Sequence, residues 1–250
     1  MIRRGVLEKL SRFFLLASGV ALFIFLVSSV FVARRPPEVV AMVPPVIQTL
    51  IQLPTATPTV TPTPLPPPIA ILAGHSGGID TGAVCPDGLR EVDITTDVAH
   101  RVQASLVSRG YTVDILAEFD QRLSAVKRDY APRAFLAIHA DSCIYYASGY
   151  KVARAEFSAN PVEDDRLTRC VSSSYAAATL LPFHAGSITK DMTHYHALNE
   201  IAPQTPAAII ELGFLGSDHD LLKNHRDVLA AGIVDGIDEY LKGEECASSQ

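Results

Sequence analysis

Positive charge is scarce in the part of this chain that can fold. Residues 69–250 hold 15 Lys+Arg against 25 Asp+Glu. A surface that grips phosphates is basic, so a nucleic-acid partner is excluded. Cysteine is sparse as well. The four residues Cys85, Cys143, Cys170 and Cys246 match no compact zinc-knuckle spacing. No internal repeat is present, which excludes a solenoid or propeller. Proline is thin after Pro68 because Pro36 to Pro68 takes eleven of the seventeen. Charge is missing altogether from Phe13 to Ala33.

That uncharged apolar stretch is long enough to cross a bilayer as a helix. Arg3, Arg4, Lys9 and Arg12 precede it, and Arg34 and Arg35 follow. The basic excess favours an N-terminus in the cytoplasm, although the two following arginines weaken the bias. A cleaved signal peptide is the competing reading, with Val27-Ser28-Ser29 as a small-residue cleavage site. Both readings export the rest of the chain; the first gives a single-pass cell-membrane protein with its folded domain outside the cytoplasm. The proline-rich segment, with Thr-Pro repeats from Thr55 to Pro64, cannot form a helix or a central strand. It reads as an extended, stiff tether. The boundaries expected are therefore tail and anchor 1–35, linker 36–68, folded domain 69–243 and a short tail 244–250.

Within the folded part, three short apolar runs end on polar residues. They are Ile69 to Ala73 leading to His75, Ala134 to Ile138 leading to His139, and Ala207 to Ile210 leading to Glu211. Such runs, bounded by turn signals, read as buried parallel strands. Between them, Ile94, Val98, Val102 and Leu106 step by four and predict a helix over 91–109, closed by Gly110. A strand over 111–116 follows, then a helix over 120–130 before Pro132. Further on come a strand over 150–155, a helix over 164–181, an irregular stretch over 182–206 and a last helix over 228–241. Strands alternating with helices give an α/β fold around a mostly parallel sheet.

Ligands of an open parallel sheet bind beyond the carboxyl ends of its strands. Here that edge carries His75, His139 and Glu211, with Glu91 at the start of the first helix. Two imidazoles and one carboxylate suit a catalytic zinc, which keeps a fourth position for water. His75, Glu91 and His139 are the expected ligands. Glu211 is the expected proton carrier, because a carboxylate that does not bind the metal must take the proton and pass it on. Each also has a plainer role: a lone histidine after a strand is more often structural, and Glu91 suits a helix N-terminus without any function. The pair His194 and His196 could share one side of a strand as a second metal site, line a groove or lie on the surface. His100, His184, His219 and His225 read as ordinary solvated or hydrogen-bonded residues. If disulfides form, four cysteines allow three full pairings. Cys143 with Cys170 is favoured, leaving Cys85 near the site and Cys246 in the tail.

Gly74-His75-Ser76-Gly77-Gly78, Gly82-Ala83-Val84, Gly88-Leu89-Arg90-Glu91-Val92-Asp93, Ala137-Ile138-His139-Ala140-Asp141 and Ile210-Glu211-Leu212-Gly213-Phe214-Leu215 occur in that order. The set resembles the zinc-dependent N-acetylmuramoyl-L-alanine amidases of bacterial cell walls, over about residues 69–242. The resemblance implies Zn2+ held by His75, Glu91 and His139, with Glu211 as the catalytic carboxylate. It implies a six-stranded mixed sheet flanked by helices, and peptidoglycan as substrate, cut between N-acetylmuramic acid and L-alanine. Four departures stand out: Ser76 for a glycine, Asp141 for an asparagine, Lys151 for an acidic residue, and Gly216-Ser217-Asp218 for serine-asparagine. Some members carry a blocking helix that an activator protein displaces; residues 142–165 are its place, and no helical stripe is present there. A wall-binding module without turnover, or a zinc peptidase acting on another stem-peptide amide, are the competing functions.

Overall fold

The computed structural model describes residues 66–247. The expected anchor and residues 36–65 of the linker lie outside the described residues. No helix among the described residues is long and apolar enough to cross a membrane.

Five strands form one sheet: β1 (Ile69–Ala73), β2 (Val113–Leu116), β3 (Ala134–Asp141), β4 (Lys151–Ala153) and β5 (Ala207–Phe214). Their order is β2-β1-β3-β5-β4. The first four in that row run parallel, and β4 closes the edge antiparallel to β5. The mostly parallel sheet agrees with the sequence, but the described residues hold five strands, not six. The expected strand over 150–155 shortens to three residues, and Tyr150 makes only an isolated bridge to Phe183.

Side chains alternate across a strand, so each strand feeds both faces. On one face, Ile69, Ile71, Leu136, Ile138, Ala208 and Ile210 pack against three long helices. These are α1 (Glu91–Ser108), α2 (Pro161–Thr179) and, near the C-terminus, the helix Arg226–Lys242. The α1 stripe Ile94, Val98, Val102 and Leu106 is completely buried, as its spacing predicts. Pro161 opens α2, where its missing N–H costs nothing.

The opposite face, built on Ala70, Leu72, Phe135, Ala137 and Ile209, has a different cover. Two short helices lie there, α3 (Lys190–Thr193) and α4 (His196–Glu200), together with the turns of residues 117–133. The expected helix over 120–130 does not form. Of its apolar residues, Leu123 is buried but Val126 is 94% exposed, so no continuous stripe exists to hold a helix down. Arg128 takes a φ of 47°, and Ser124 N–H donates to Glu200 rather than to its own segment. Two more helices, α5 (His219–Asn224) and α6 (the Arg226–Lys242 helix), complete the chain.

All four cysteines are paired, as Cys85–Cys143 and Cys170–Cys246. This corrects the expected Cys143–Cys170 pairing. Cys143, just after β3, meets Cys85 in the loop before α1, whereas Cys170 on α2 meets Cys246 in the C-terminal tail. The C-terminal tail is tied to α2 through Cys246.

Candidate metal centre and cleft

The register fixes the first part of the site. His139 on β3 pairs with Glu211 on β5, and Glu211 pairs with Lys151 on β4. Their neighbours Ile138, Ile210 and Val152 feed the helical face. The three polar side chains therefore stand in one row on the other face, at the carboxyl edge. His75 reaches the same place from the turn after β1, and Glu91 from the first turn of α1.

His75 Nε2 lies 3.3 Å from Glu91 Oε1, and His139 Nδ1 lies 3.2 Å from the same oxygen. All three ligand atoms fall within 4.8 Å of one another. A tetrahedral metal with bonds of about 2.0–2.1 Å has ligand-to-ligand edges of about 3.3 Å. The donor set and spacing fit such an ion. The surroundings fit it as well. Asp80 Oδ2 sits 2.9 Å from His75 Nδ1, the carboxylate–imidazole contact that orients a ligating histidine. Glu91 accepts from Ala83 N–H and Ala140 N–H, both at 3.0 Å, which fixes its carboxylate. Gly82 has φ 64°, and a Cβ there would strike both the Glu91 carboxylate and the His75 ring. A Cβ at Gly74 would strike the His139 ring.

The electrostatics tell the same story in a protein without the ion. The Glu91 hydrogen bond, opposed by burial, pushes the His75 imidazole up to about 9. Burial lowers His139, but the Glu91 hydrogen bond and nearby carboxylates outweigh it and the imidazole is raised. Burial acts to raise the Glu91 carboxyl, yet hydrogen bonds from His139 and His75 hold it down to about 2. Protons on the imidazoles thus balance the carboxylate, and these must leave when a cation takes their place.

Glu211 differs. It opens partly onto the cleft, while its Oε2 is buried with no hydrogen-bond partner. Burial pushes its carboxyl up to about 7. A carboxylate poised near neutrality beside a metal site is suited to carrying a proton in both directions. The cleft has a volume of about 530 Å³, and its walls include His75, His139, Glu211, Lys151, Thr189 and Tyr195. Two of the sequence departures meet in it, since buried Lys151 forms an ion pair with Asp141.

His194 and His196 do not form a second metal site. His194 and Tyr195 form the break between the short helices α3 and α4 rather than a strand, and the two rings find different partners. His194 pairs with Glu156 at 2.7 Å, and His196 with Glu118 and Glu200, both at 3.0 Å. Within residues 142–165 the only helix is the start of α2 at Pro161. A second cluster, Cys85 with Asp87 and His219, has metal-like spacing but spends its sulfur in a disulfide. Asp80 and Glu118 went unread in the sequence. Asp80 carries a faint signal, five residues after His75 in a glycine-rich loop. Glu118 carries none, because its approach to the site depends on how residues 117–133 fold.

The fold and site define a class: an α/β protein with an open cleft at its sheet edge, a metal-competent His-Glu-His cluster and a separate half-buried carboxylate. The chain belongs to the N-acetylmuramoyl-L-alanine amidase family, a family of peptidoglycan hydrolases, whose model matches residues 69–239. Solved structures agree on the fold. The N-acetylmuramyl-L-alanine amidase Ami1 from Mycobacterium smegmatis superposes with a TM-score of 0.60 at 21% identity, over 73% of this chain and 100% of that one. The catalytic domain of CwlV from Bacillus (Paenibacillus) polymyxa var. colistinus gives 0.52 at 23% identity, over 70% and 98%. The CwlD amidase from Clostridioides difficile, solved in complex with the GerS lipoprotein, gives 0.53 at 18%, over 71% and 100%. No curated relative matches the chain.

Proposed function

We propose that this chain hydrolyses the amide between the lactyl group of N-acetylmuramic acid and the L-alanine of the stem peptide, with Zn2+ held by His75, Glu91 and His139. Zinc bound there would supply Lewis-acid polarisation and a nucleophile usable at neutral pH. Glu211 takes the proton of the attacking water and returns it to the leaving amine. Asp80 and the Gly82 turn keep the ligands in place. Lys151, paired with Asp141, forms the cleft floor beside Glu211. The observation that carries this reading is the pairing of His139 and Glu211 across β3 and β5, one imidazole at the cluster and one carboxylate beside it whose Oε2 has no hydrogen-bond partner.

The same reading puts the folded domain outside the cytoplasm. Residues 13–33 anchor it in the membrane, or direct secretion if they are removed, and the proline-rich segment lets it reach the wall. The two disulfides support an oxidising compartment. The test is digestion of defined muropeptides, with and without a chelator, followed by mass spectrometry. Release of the intact stem peptide from the sugar is the expected product. Cleavage inside the stem would instead mark a peptidase, and zinc-loaded protein that binds sacculi without cutting them would mark a wall-binding module.

A further inference from the structure

His75 is one of three residues other than glycine with positive φ among the described residues, at 61°. A side chain in that region is strained, and such residues persist only when their surroundings over-determine them. Glu118 supplies that determination. Its carboxylate Oε2 accepts from His75 N–H at 2.6 Å, and its own N–H donates to Ser76 O at 3.1 Å. One residue thus grips the backbone on both sides of His75. Glu118 is itself held: its Oε1 accepts from Tyr195 O–H and from His196 Nε2 at 3.0 Å. It is 9% exposed and lines the cleft, and its Oε2 stands 3.9 Å from His139 Nε2. It is not among the three ligand residues. Burying a carboxylate is costly, and these donors offset that cost while holding Glu118 in one place.

We propose that Glu118 is a positioning residue for the metal centre, clamping the left-handed turn at His75 and linking it to the Tyr195–His196 wall of the cleft. The inference rests on the metal-dependent reading above, because a clamp on His75 matters only if His75 ligates. Partners that orient a ligand in this way typically change metal affinity by about 10–100-fold when removed.

The test is the zinc dissociation constant of the full chain, measured by chelator competition, for Glu118→Ala, Glu118→Gln, Glu118→Asp and Tyr195→Phe. Glu118→Ala is expected to weaken zinc by about 10–100-fold. Glu118→Gln keeps a carbonyl of the right reach for His75 N–H and is expected to lose less than Glu118→Ala. Glu118→Asp keeps the charge but draws back by one methylene, and should lose more than Glu118→Gln. Tyr195→Phe leaves the His75 contact intact and should fall closest to the parent. If Glu118→Ala does not fold, the order of Gln and Asp decides the matter. Zinc affinity unchanged in every variant, or Asp equal to or better than Gln, would overturn the clamp. Parent protein that takes up zinc yet leaves muropeptides whole would remove the amidase reading and leave this inference standing; parent protein that binds no zinc would remove both.

Discussion

The two faces of the sheet were built by different means. One face is covered by α1, α2 and α6, three long amphipathic helices whose apolar stripes lock onto Ile71, Ile138 and Ile210. The other is covered by turns and four- or five-residue helices over Ala70, Phe135 and Ile209. The regular face holds the scaffold still. The irregular face carries the row His139, Glu211 and Lys151, and it supplies Glu118, Tyr195 and the cleft wall. Short helices gain little from their own backbone bonds, so their position depends on tertiary contacts. Apart from Glu91, which opens α1, the site residues gather on the irregular side while the regular side packs the scaffold, a division that fails if either side does the other's work.

The largest effect is expected on the irregular face. Glu211→Gln should lower amide hydrolysis by about 10²–10⁴-fold, the range for loss of a general acid–base. Zinc content, read by metal analysis, should stay at the parent level, whereas His75→Ala should lower it. Unchanged digestion by Glu211→Gln would remove the proposed mechanism.

The disulfides sharpen the division. Each closes a loop of 58 or 76 residues. By chain entropy each contributes about 4 kcal/mol. Replacing Cys170 and Cys246 should lower the unfolding free energy and leave zinc affinity alone. Replacing Cys85 and Cys143 should lower both, since that bridge ties the loop before Glu91 to the segment after His139. Equal zinc affinity in the two variants would deny the site-side bridge its special place.

A core truncation under α1, Leu106→Ala, should cost about 2–5 kcal/mol in a denaturant titration. At a temperature where the variant remains folded, its kcat should match the parent, because Leu106 touches only the helical side. A lower kcat in the folded variant would blur the two faces.

The smallest effect is a pH dependence. Glu211 has a folded value of about 7 against an ordinary 4.5. Its charged form is penalised in the fold, so the metal-free protein carries no penalty below about 4.5 and loses stability as pH rises through about 7. The loss is bounded at about 3 kcal/mol for a shift of this size. Glu211→Gln should therefore be more stable than the parent at pH 8 and no more stable at pH 4, in thermal melts of metal-free protein. Curves that coincide at both values would mean that the Glu211 carboxylate is solvated.

Much of this was legible before folding. His75, His139 and Glu211 each follow a short apolar run, and Glu91 opens a helix whose buried stripe recurs every four residues; these local patterns survive because strand and helix periods are written into neighbouring residues. The cysteine pairing was misread, since nothing in spacing tells which strand ends face each other. The helix expected at 120–130 failed for a related reason: Pro132 marks a stop, but Val126 and Arg128 face solvent or bend away. Glu118 and Asp80 stayed hidden because their meaning lies in whom they touch.

By itself the sequence determined the apolar runs of the strands, the long helices, the acidic character of the folded part and which residues were candidates for the site, because burial on a regular lattice imposes a period that can be read locally. Only the tertiary structure decided that β3, β5 and β4 lie side by side, so that His139, Glu211 and Lys151 form one row. It alone set the disulfides, the count of five strands in the described sheet, and the carboxylate of Glu118 under His75. Those features join residues tens of positions apart, and the free energy that selects them resides in contacts across the fold rather than in any stretch of chain.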